Sequence, residues 1–317
     1  MKKFAIIITG IVTAILIAVV VIANIALEMA VHPENNKTRD IETCYEKVYN
    51  AYPELEQWHD SLVANGLWRD TMLVASDGSK RHGVIIQHDS LATGASIVVH
   101  GYTDNAPIMM RYAYLHYEML GRNVVVPEHY AHGESDGDDI RFGWLDRLDI
   151  KDLWLPLTHD LWKDQSIVIH GLSMGGAITM FVSGEEIPDS LNLTAFIEDC
   201  GYTSTWDQLA YQAKEMNMPK FPVLYVANVL CRMKYGWDMK ESSAVKQLAK
   251  CTRPMLFIHG DADDYVPTEM VYRNYNAKIS GYKELMVVPG AKHARSIHKA
   301  WDEYVERVES FLAKVEK

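Results

Sequence analysis

Cysteine is scarce in this sequence, with 4 residues in 317 and none in a C-x-x-C pair. That spacing argues against a zinc knuckle or a thioredoxin-type site, and leaves either two disulfides in one of three connectivities or buried free thiols. Glycine and proline, at 19 and 11 residues, are too few for a collagen-like or disordered chain. Basic residues are also short, 31 against 42 acidic ones, giving a formal net charge of -11, and no Lys/Arg block follows Lys2 and Lys3. Nucleic acid is therefore not an expected partner. Neither G-x-G-x-x-G nor G-x-x-x-x-G-K occurs, so no nucleotide cofactor is implied. Internal repeats and low-complexity tracts are absent too.

What the chain does have is one long apolar run. Residues 4–27 carry no charge and only Thr9, Gly10, Thr13 and Asn24 as interruptions. About 24 helical residues reach roughly 36 Å, enough to cross a hydrocarbon core of about 30 Å. A cleaved signal peptide usually has an apolar region of about 7–15 residues ending at an A-x-A-like site, and no such triplet follows here. Residues 1–30 are expected to be an uncleaved signal anchor that attaches the chain to a membrane; cleavage would make the product secreted. Lys2 and Lys3 predict a cytoplasmic N-terminus and an extracytoplasmic remainder. With Lys2, Lys3 and Glu28 set aside, that remainder carries about -12, which predicts that it stands off an anionic membrane surface.

Residues 31–66 read as a polar linker leading into one or two helices around Tyr45, Val48, Tyr49, Tyr52 and Leu55. An antiparallel hairpin is expected from 71–76 and 83–88 across the Asp77-Gly78 turn. Strands follow at 96–100, 123–127, 166–170, 194–198, 255–259 and 284–288, with helices near 107–120, 144–162, 173–183, 267–279 and from 301 to the end. Runs such as Ile97-Val98-Val99 and Ile167-Val168-Ile169 suit strands buried on both faces. The alternation predicts an α/β domain with a mostly parallel sheet and helices on both faces. Residues 202–250 interrupt the rhythm. Rich in Trp, Tyr and Met, they can bury themselves as a small helical cap.

The chemistry-bearing segment is Gly171-Leu172-Ser173-Met174-Gly175, a G-x-S-x-G between a buried strand and a helix. There a serine takes a strained turn, the glycines remove colliding side chains, and the helix N-terminus favours developing negative charge. A serine nucleophile needs a base, and the base an orienting acid. Two later strands run into His259-Gly260-Asp261-Ala262-Asp263-Asp264-Tyr265-Val266-Pro267 and Gly290-Ala291-Lys292-His293, both at carboxyl ends where α/β sheets hold ligands.

This order resembles the α/β-hydrolase superfamily, with its Ser, Asp, His sequence, its H-G-x-x-D-x-x-V-P loop and its G-x-x-H loop. The resemblance covers about residues 67–317. It implies Ser173 as nucleophile, Asp263 as orienting acid and His293 as general base. Asp261 and Asp264 are expected as turn or capping residues, and Asp199 is a second acid at a strand end. Val98-Val99-His100-Gly101-Tyr102 is similar to the family's strand-end H-G-x, which implies an oxyanion hole from the backbone N-H groups of Tyr102 and Met174. His132 to Gly137 resembles the family's G-H-G-x-S-x-G turn, with Ala131 in place of its first glycine. His100, His170 and His259 could suggest a metal, but the family uses these positions to support turns, so neither metal nor cofactor is expected.

The resemblance implies a serine hydrolase of the carboxylesterase type acting on a small-molecule ester through an acyl-enzyme. A peptidase or acyltransferase using the same triad stays open, as does a non-catalytic binding module on the membrane surface. Alkaline carbonate extraction should leave the full-length chain in the membrane pellet; release into the supernatant would overturn the anchor.

Overall fold

Every strand residue from Val84 to Ile86, and in the four strands that follow the hairpin all but Thr194, is buried, yet alternate residues serve different cores. In the computed structural model, which describes residues 2–33, 40–89 and 91–316, eight strands form one sheet in the order β1-β2-β4-β3-β5-β6-β7-β8. These are β1 (Trp68–Val74), β2 (Lys80–Ile86), β3 (Ala95–Val99), β4 (Asn123–Pro127), β5 (Ile167–Leu172), β6 (Leu193–Asp199), β7 (Met255–Gly260) and β8 (Lys283–Val288). The hairpin β1-β2 pairs antiparallel with itself and with β4, and the remaining pairs are parallel. Val98, Val124, Val168 and Ile258 point into one core, and Ile97, Val125, Ile169 and Phe257 into the other. Period-two alternation under two covered faces is why the strands read as unbroken apolar runs.

Two of the expected helices are broken. Residues 144–162 form Asp146–Asp149, a widened turn Ile150–Trp154, and Leu155–Leu161. Pro156 has no N-H to give the carbonyl one turn back, which accounts for the widening just before it. Residues 107–120 are likewise split, into Pro107–Met109, Met110–Tyr114 and Leu115–Met119. Residues 202–250 are helical as expected, with cap helices Thr205–Glu215 and Tyr225–Tyr235 and the short Ala244–Leu248. All four cysteines are buried free thiols, which settles the disulfide alternative.

Within the expected linker and helical approach, 31–66, lie the two helices α2 (Ile41–Ala51) and α3 (Pro53–Ala64), whose Val48, Leu55, Trp58 and Leu62 enter the first core. Residues 34–39 of that linker lie outside the described residues, as does Met1 of the expected anchor. Helix α1 (Lys2–Val31) is long and apolar enough to cross a membrane. However, it does not stand apart from the globule. Ala23, Leu27 and Val31, spaced i, i+4 and i+8, are buried against Leu224, Ala227 and Cys231. Glu28 accepts from Lys234 Nζ at 2.6 Å and from the Tyr235 hydroxyl at 3.0 Å. Composition shows that a helix is apolar, not that one stripe of its last turns fits a partner 200 residues away.

The amino-terminal ends of the central strands are fastened by Arg122, 2% exposed. It donates to Ser96 Oγ at 2.9 Å, to the carbonyls of Ala95 at 2.9 Å and Ser166 at 3.1 Å, and to Glu316 at 2.7 Å. Removing one partner of such a buried pair strands the other's charge. Arg122→Leu should lower the unfolding free energy by about 3–5 kcal/mol in denaturant titrations; an unchanged midpoint would show that the pair contributes nothing.

Candidate active site

The turn between β5 and the helix Met174–Ser183 positions Ser173 at φ 57° and ψ -115°. Two glycines allow this. A Cβ on Gly171 would collide with the Gly175 carbonyl, and one on Gly175 with the Val99 carbonyl. The Ser173 N-H donates to the Asp199 carbonyl at 2.7 Å, pinning the turn to β6.

The three residues expected as nucleophile, base and acid converge. Ser173 Oγ lies 2.8 Å from His293 Nε2, and His293 Nδ1 lies 2.8 Å from Asp263 Oδ2. With Nδ1 donating to the carboxylate, Nε2 is the acceptor for the serine hydroxyl. Asp263 Oδ1 accepts the N-H groups of Tyr265 at 3.0 Å and Val266 at 2.9 Å. A second imidazole, His259 Nε2, stands 3.2 Å from Asp263 Oδ2. Burial alone would push the Asp263 carboxyl up, but its bonds to His259 and His293 outweigh that and hold it well below the usual carboxylate range. Sequence reasoning missed His259 in this role, although it is the histidine of the same H-G-x-x-D loop.

The loop after β3 lies against the turn, where a Cβ on Gly101 would sit 3.4 Å from Ser173 Cβ. Among the described residues, neither the Tyr102 N-H nor the Met174 N-H has an acceptor within the protein. The loop's carbonyls and amides are fixed by neutral histidines. His100 Nε2 accepts the His129 N-H at 3.0 Å, so its Nδ1 donates to the Gly101 carbonyl at 2.8 Å. His132 Nε2 accepts the Thr103 N-H at 3.2 Å and its Nδ1 donates to the Tyr130 carbonyl. Burial drives His132 down to about 4 and His100 well below its ordinary value, so both are uncharged at neutral pH.

Glu128, which sequence reasoning also missed, braces this region from beneath. Its carboxylate accepts the Ala106 N-H at 3.0 Å, the Glu134 N-H at 2.7 Å and His82 Nδ1 at 2.8 Å. A carboxylate directly after the apolar strand β4 was the available signal. The adjoining turn keeps its left-handed residue even without glycine, since Ala131 sits at φ 62°.

Asp199, the second acid, is engaged elsewhere. Its Oδ2 accepts the hydroxyls of Tyr304 at 2.9 Å and Tyr112 at 3.1 Å, and burial pushes its carboxyl up to about 6. Asp261 accepts the Gly290 N-H, as a turn residue would, and Asp264 is exposed. The three strand-end histidines do not converge: His170 bonds His116 at 2.9 Å and Tyr304 at 3.0 Å. Among the described residues, the clusters able to hold a metal are Cys200, Asp263, His293 and Asp70, His82, Glu134, and neither contains two of those histidines.

The pattern of the alpha/beta hydrolase family matches residues 97–307. The uncharacterized protein YqkD of Bacillus subtilis (strain 168) is 31% identical over 229 residues, covering 72% of this chain and 73% of the relative. The Pyrococcus furiosus esterase Pf2001 superposes with a TM-score of 0.63 at 22% identity, covering 78% of this chain and 91% of the esterase. A membrane phospholipase A described as a bacterial virulence factor superposes with a TM-score of 0.57 at 12% identity, over 85% of this chain and 93% of that one. At such identities these two likenesses are of fold.

Because the Asp263 carboxyl is depressed on folding, its stabilising contribution is complete above the unfolded value of about 3.9 and drains away as pH falls below it. The stability difference between wild type and Asp263→Asn should be flat above pH about 5 and shrink below pH about 4. Thermal unfolding at stepped pH checks this; a difference that grew on acidification would contradict the assignment.

Proposed function

The chain belongs to the alpha/beta hydrolase family, and from that premise we propose that it is a membrane-anchored serine hydrolase cleaving a carboxylic ester. The observation that carries the reading is the unbroken relay from Ser173 through His293 to Asp263, with 2.8 Å at each step. Catalysis by such a relay needs a nucleophile, a base and a group that fixes the base's tautomer, all within hydrogen-bond reach.

Ser173 Oγ attacks the acyl carbon while His293 Nε2 takes its proton. The carbonyl oxygen becomes an oxyanion, held by the N-H groups of Tyr102 and Met174 and by the N-terminus of the helix behind Ser173. His293, now an imidazolium, is stabilised by ionised Asp263 and gives its proton to the departing alkoxide. That leaves an acyl-enzyme on Ser173. Water, deprotonated by the same imidazole, releases the acid and restores the serine. His259 acts here as a positioning residue: it bonds Asp263 and the Val266 carbonyl, at 2.9 Å, and so steadies the loop that carries the acid.

In this reading residues 1–30 anchor residues 67–317 to the membrane as a catalytic domain, with residues 202–250 as its cap and the N-terminus on the cytoplasmic side. A fluorophosphonate probe should label Ser173 in the folded full-length protein. Ser173→Ala should abolish labelling and cut ester hydrolysis by about 10⁶-fold, the order expected when a triad acts as a unit. Absence of labelling in correctly folded wild type would sink the hydrolase mechanism.

A further inference from the structure

An apolar cavity of about 380 Å³ has Tyr102 and Tyr265 in its lining. Both neighbour the proposed site: the Tyr265 ring centroid lies 4.9 Å from that of His293, and Tyr102 follows Gly101 in the proposed oxyanion loop. The size suits a small-molecule ligand. One wall is cap, from Leu209, Ala213 and Met218, and the facing wall is α1, from Ile22, Ala26 and Met29. The Tyr102 hydroxyl donates to the Ala30 carbonyl at 2.8 Å, so the membrane helix and the proposed oxyanion loop are in direct contact.

The level of this cavity relative to a bilayer follows from α1. Residues 2–22 lie outside the globule, and packing against the cap begins at Ala23. Some 20 helical residues span about 30 Å, the thickness of the hydrocarbon core. A bilayer around that free stretch ends near Ile22, where the cavity wall starts. Ile22, Ile25 and Met29, at 47%, 52% and 57% exposed, leave the wall's outer side open to lipid.

The cap is built for the same surface. Tyr225, Val229 and Met233, one helical stripe, are 43%, 55% and 77% exposed, and Phe221 is 74% exposed. An apolar stripe of this kind beside basic residues is the pattern of an interfacial helix. Residues 214–240 hold Lys214, Lys220, Arg232, Lys234 and Lys240 against Glu215 and Asp238, and with Glu28 of α1, which pairs with Lys234, this face still carries a local +2 in a chain of -11. Net charge alone argues that the globule stands off an anionic leaflet, whereas this face carries the attractive sign.

We propose that the ester reaching Ser173 belongs to a long-chain acyl lipid of the membrane leaflet, its acyl chain lodged in the cavity between α1 and the cap. This rests on the serine-hydrolase reading. The acyl-oxygen bond of the lipid breaks as the Ser173 acyl bond forms, and His293 passes the serine's proton to the lipid alkoxide. Water then releases the fatty acid. Helix α1 is thus a retained part of the binding site as well as an anchor.

The test uses the full chain in vesicles of phosphatidylcholine, phosphatidylglycerol and diacylglycerol, with fatty-acid release measured against hydrolysis of water-soluble p-nitrophenyl acetate. Wild type should release fatty acid. Ala26→Trp, which fills the cavity from α1, should lower the ratio of fatty-acid release to p-nitrophenyl acetate turnover about tenfold or more. Ile11→Trp, on the lipid-facing stretch, should leave both rates unchanged. In wild type, a diazirine-bearing acyl lipid should crosslink to residues 22–30 and 205–224, an outcome that does not depend on how Ala26→Trp folds. Turnover of p-nitrophenyl acetate without fatty-acid release, an unmoved ratio in labelled Ala26→Trp, or crosslinks confined to residues 4–21 would each overturn the lipid proposal while sparing the hydrolase. Loss of both activities and of fluorophosphonate labelling in wild type overturns both.

Discussion

Ser173 holds its backbone at φ 57° and ψ -115°, a conformation that costs a residue with a side chain about 1–3 kcal/mol. Such a turn persists only where its surroundings over-determine it. Here Gly171 and Gly175 let backbone pack on backbone, the Ser173 N-H is taken by β6, and all ten residues of the following helix are buried. The close approach of Gly175 to Val99 has a second effect. It fixes the end of β3, and with it the Tyr102 N-H, relative to the serine. The proposed nucleophile and the proposed oxyanion donors are thus set by one packing constraint on the backbone, with the side chains following.

Around that turn, three buried carboxylates have different work, and the donors aimed at each decide which. Asp263 receives two backbone N-H groups and two imidazoles, enough to keep it ionised despite burial. That suits a group opposite an imidazole that becomes positive in the proposed mechanism. Asp199, also at a strand end, receives two tyrosine hydroxyls on one oxygen, while Oδ1 has no partner among the described residues; burial then prevails and its carboxyl rises to about 6. Glu128 turns its oxygens to backbone amides on both neighbouring loops and spends its charge on architecture.

What the sequence discloses follows the range of each interaction. Strands are visible because double-sided burial leaves no polar positions, and the boundaries of β4 coincide with those expected while the others shift by a few residues at one or both ends. The turn at Ser173 is legible because its glycines are local, and Asp263 and His293 because they sit in loops that resemble a known family. Glu128 and the second bond of His259 are not, since a single acidic or imidazole side chain carries no mark of what closes over it. The broken helices lie between. Pro156 announces a disturbance, but whether it ends the helix or widens one turn depends on Trp154 and Leu155 being buried.

Helix α1 shows why an anchor read by hydropathy alone is incomplete. Its 30 residues extend about 45 Å, some 15 Å more than a hydrocarbon core requires. The surplus must tilt, thicken the bilayer locally or find another solvent. Its polar residues decide between these. Asn24 and Glu28 both bond Lys234, one turn apart on the stripe's edge, so the excess length is solvated by protein. In the proposed anchored state, a helix clamped in this way would not slide freely through the bilayer. The depth of residues 2–22 would then set the depth of the cap and of the cavity between them.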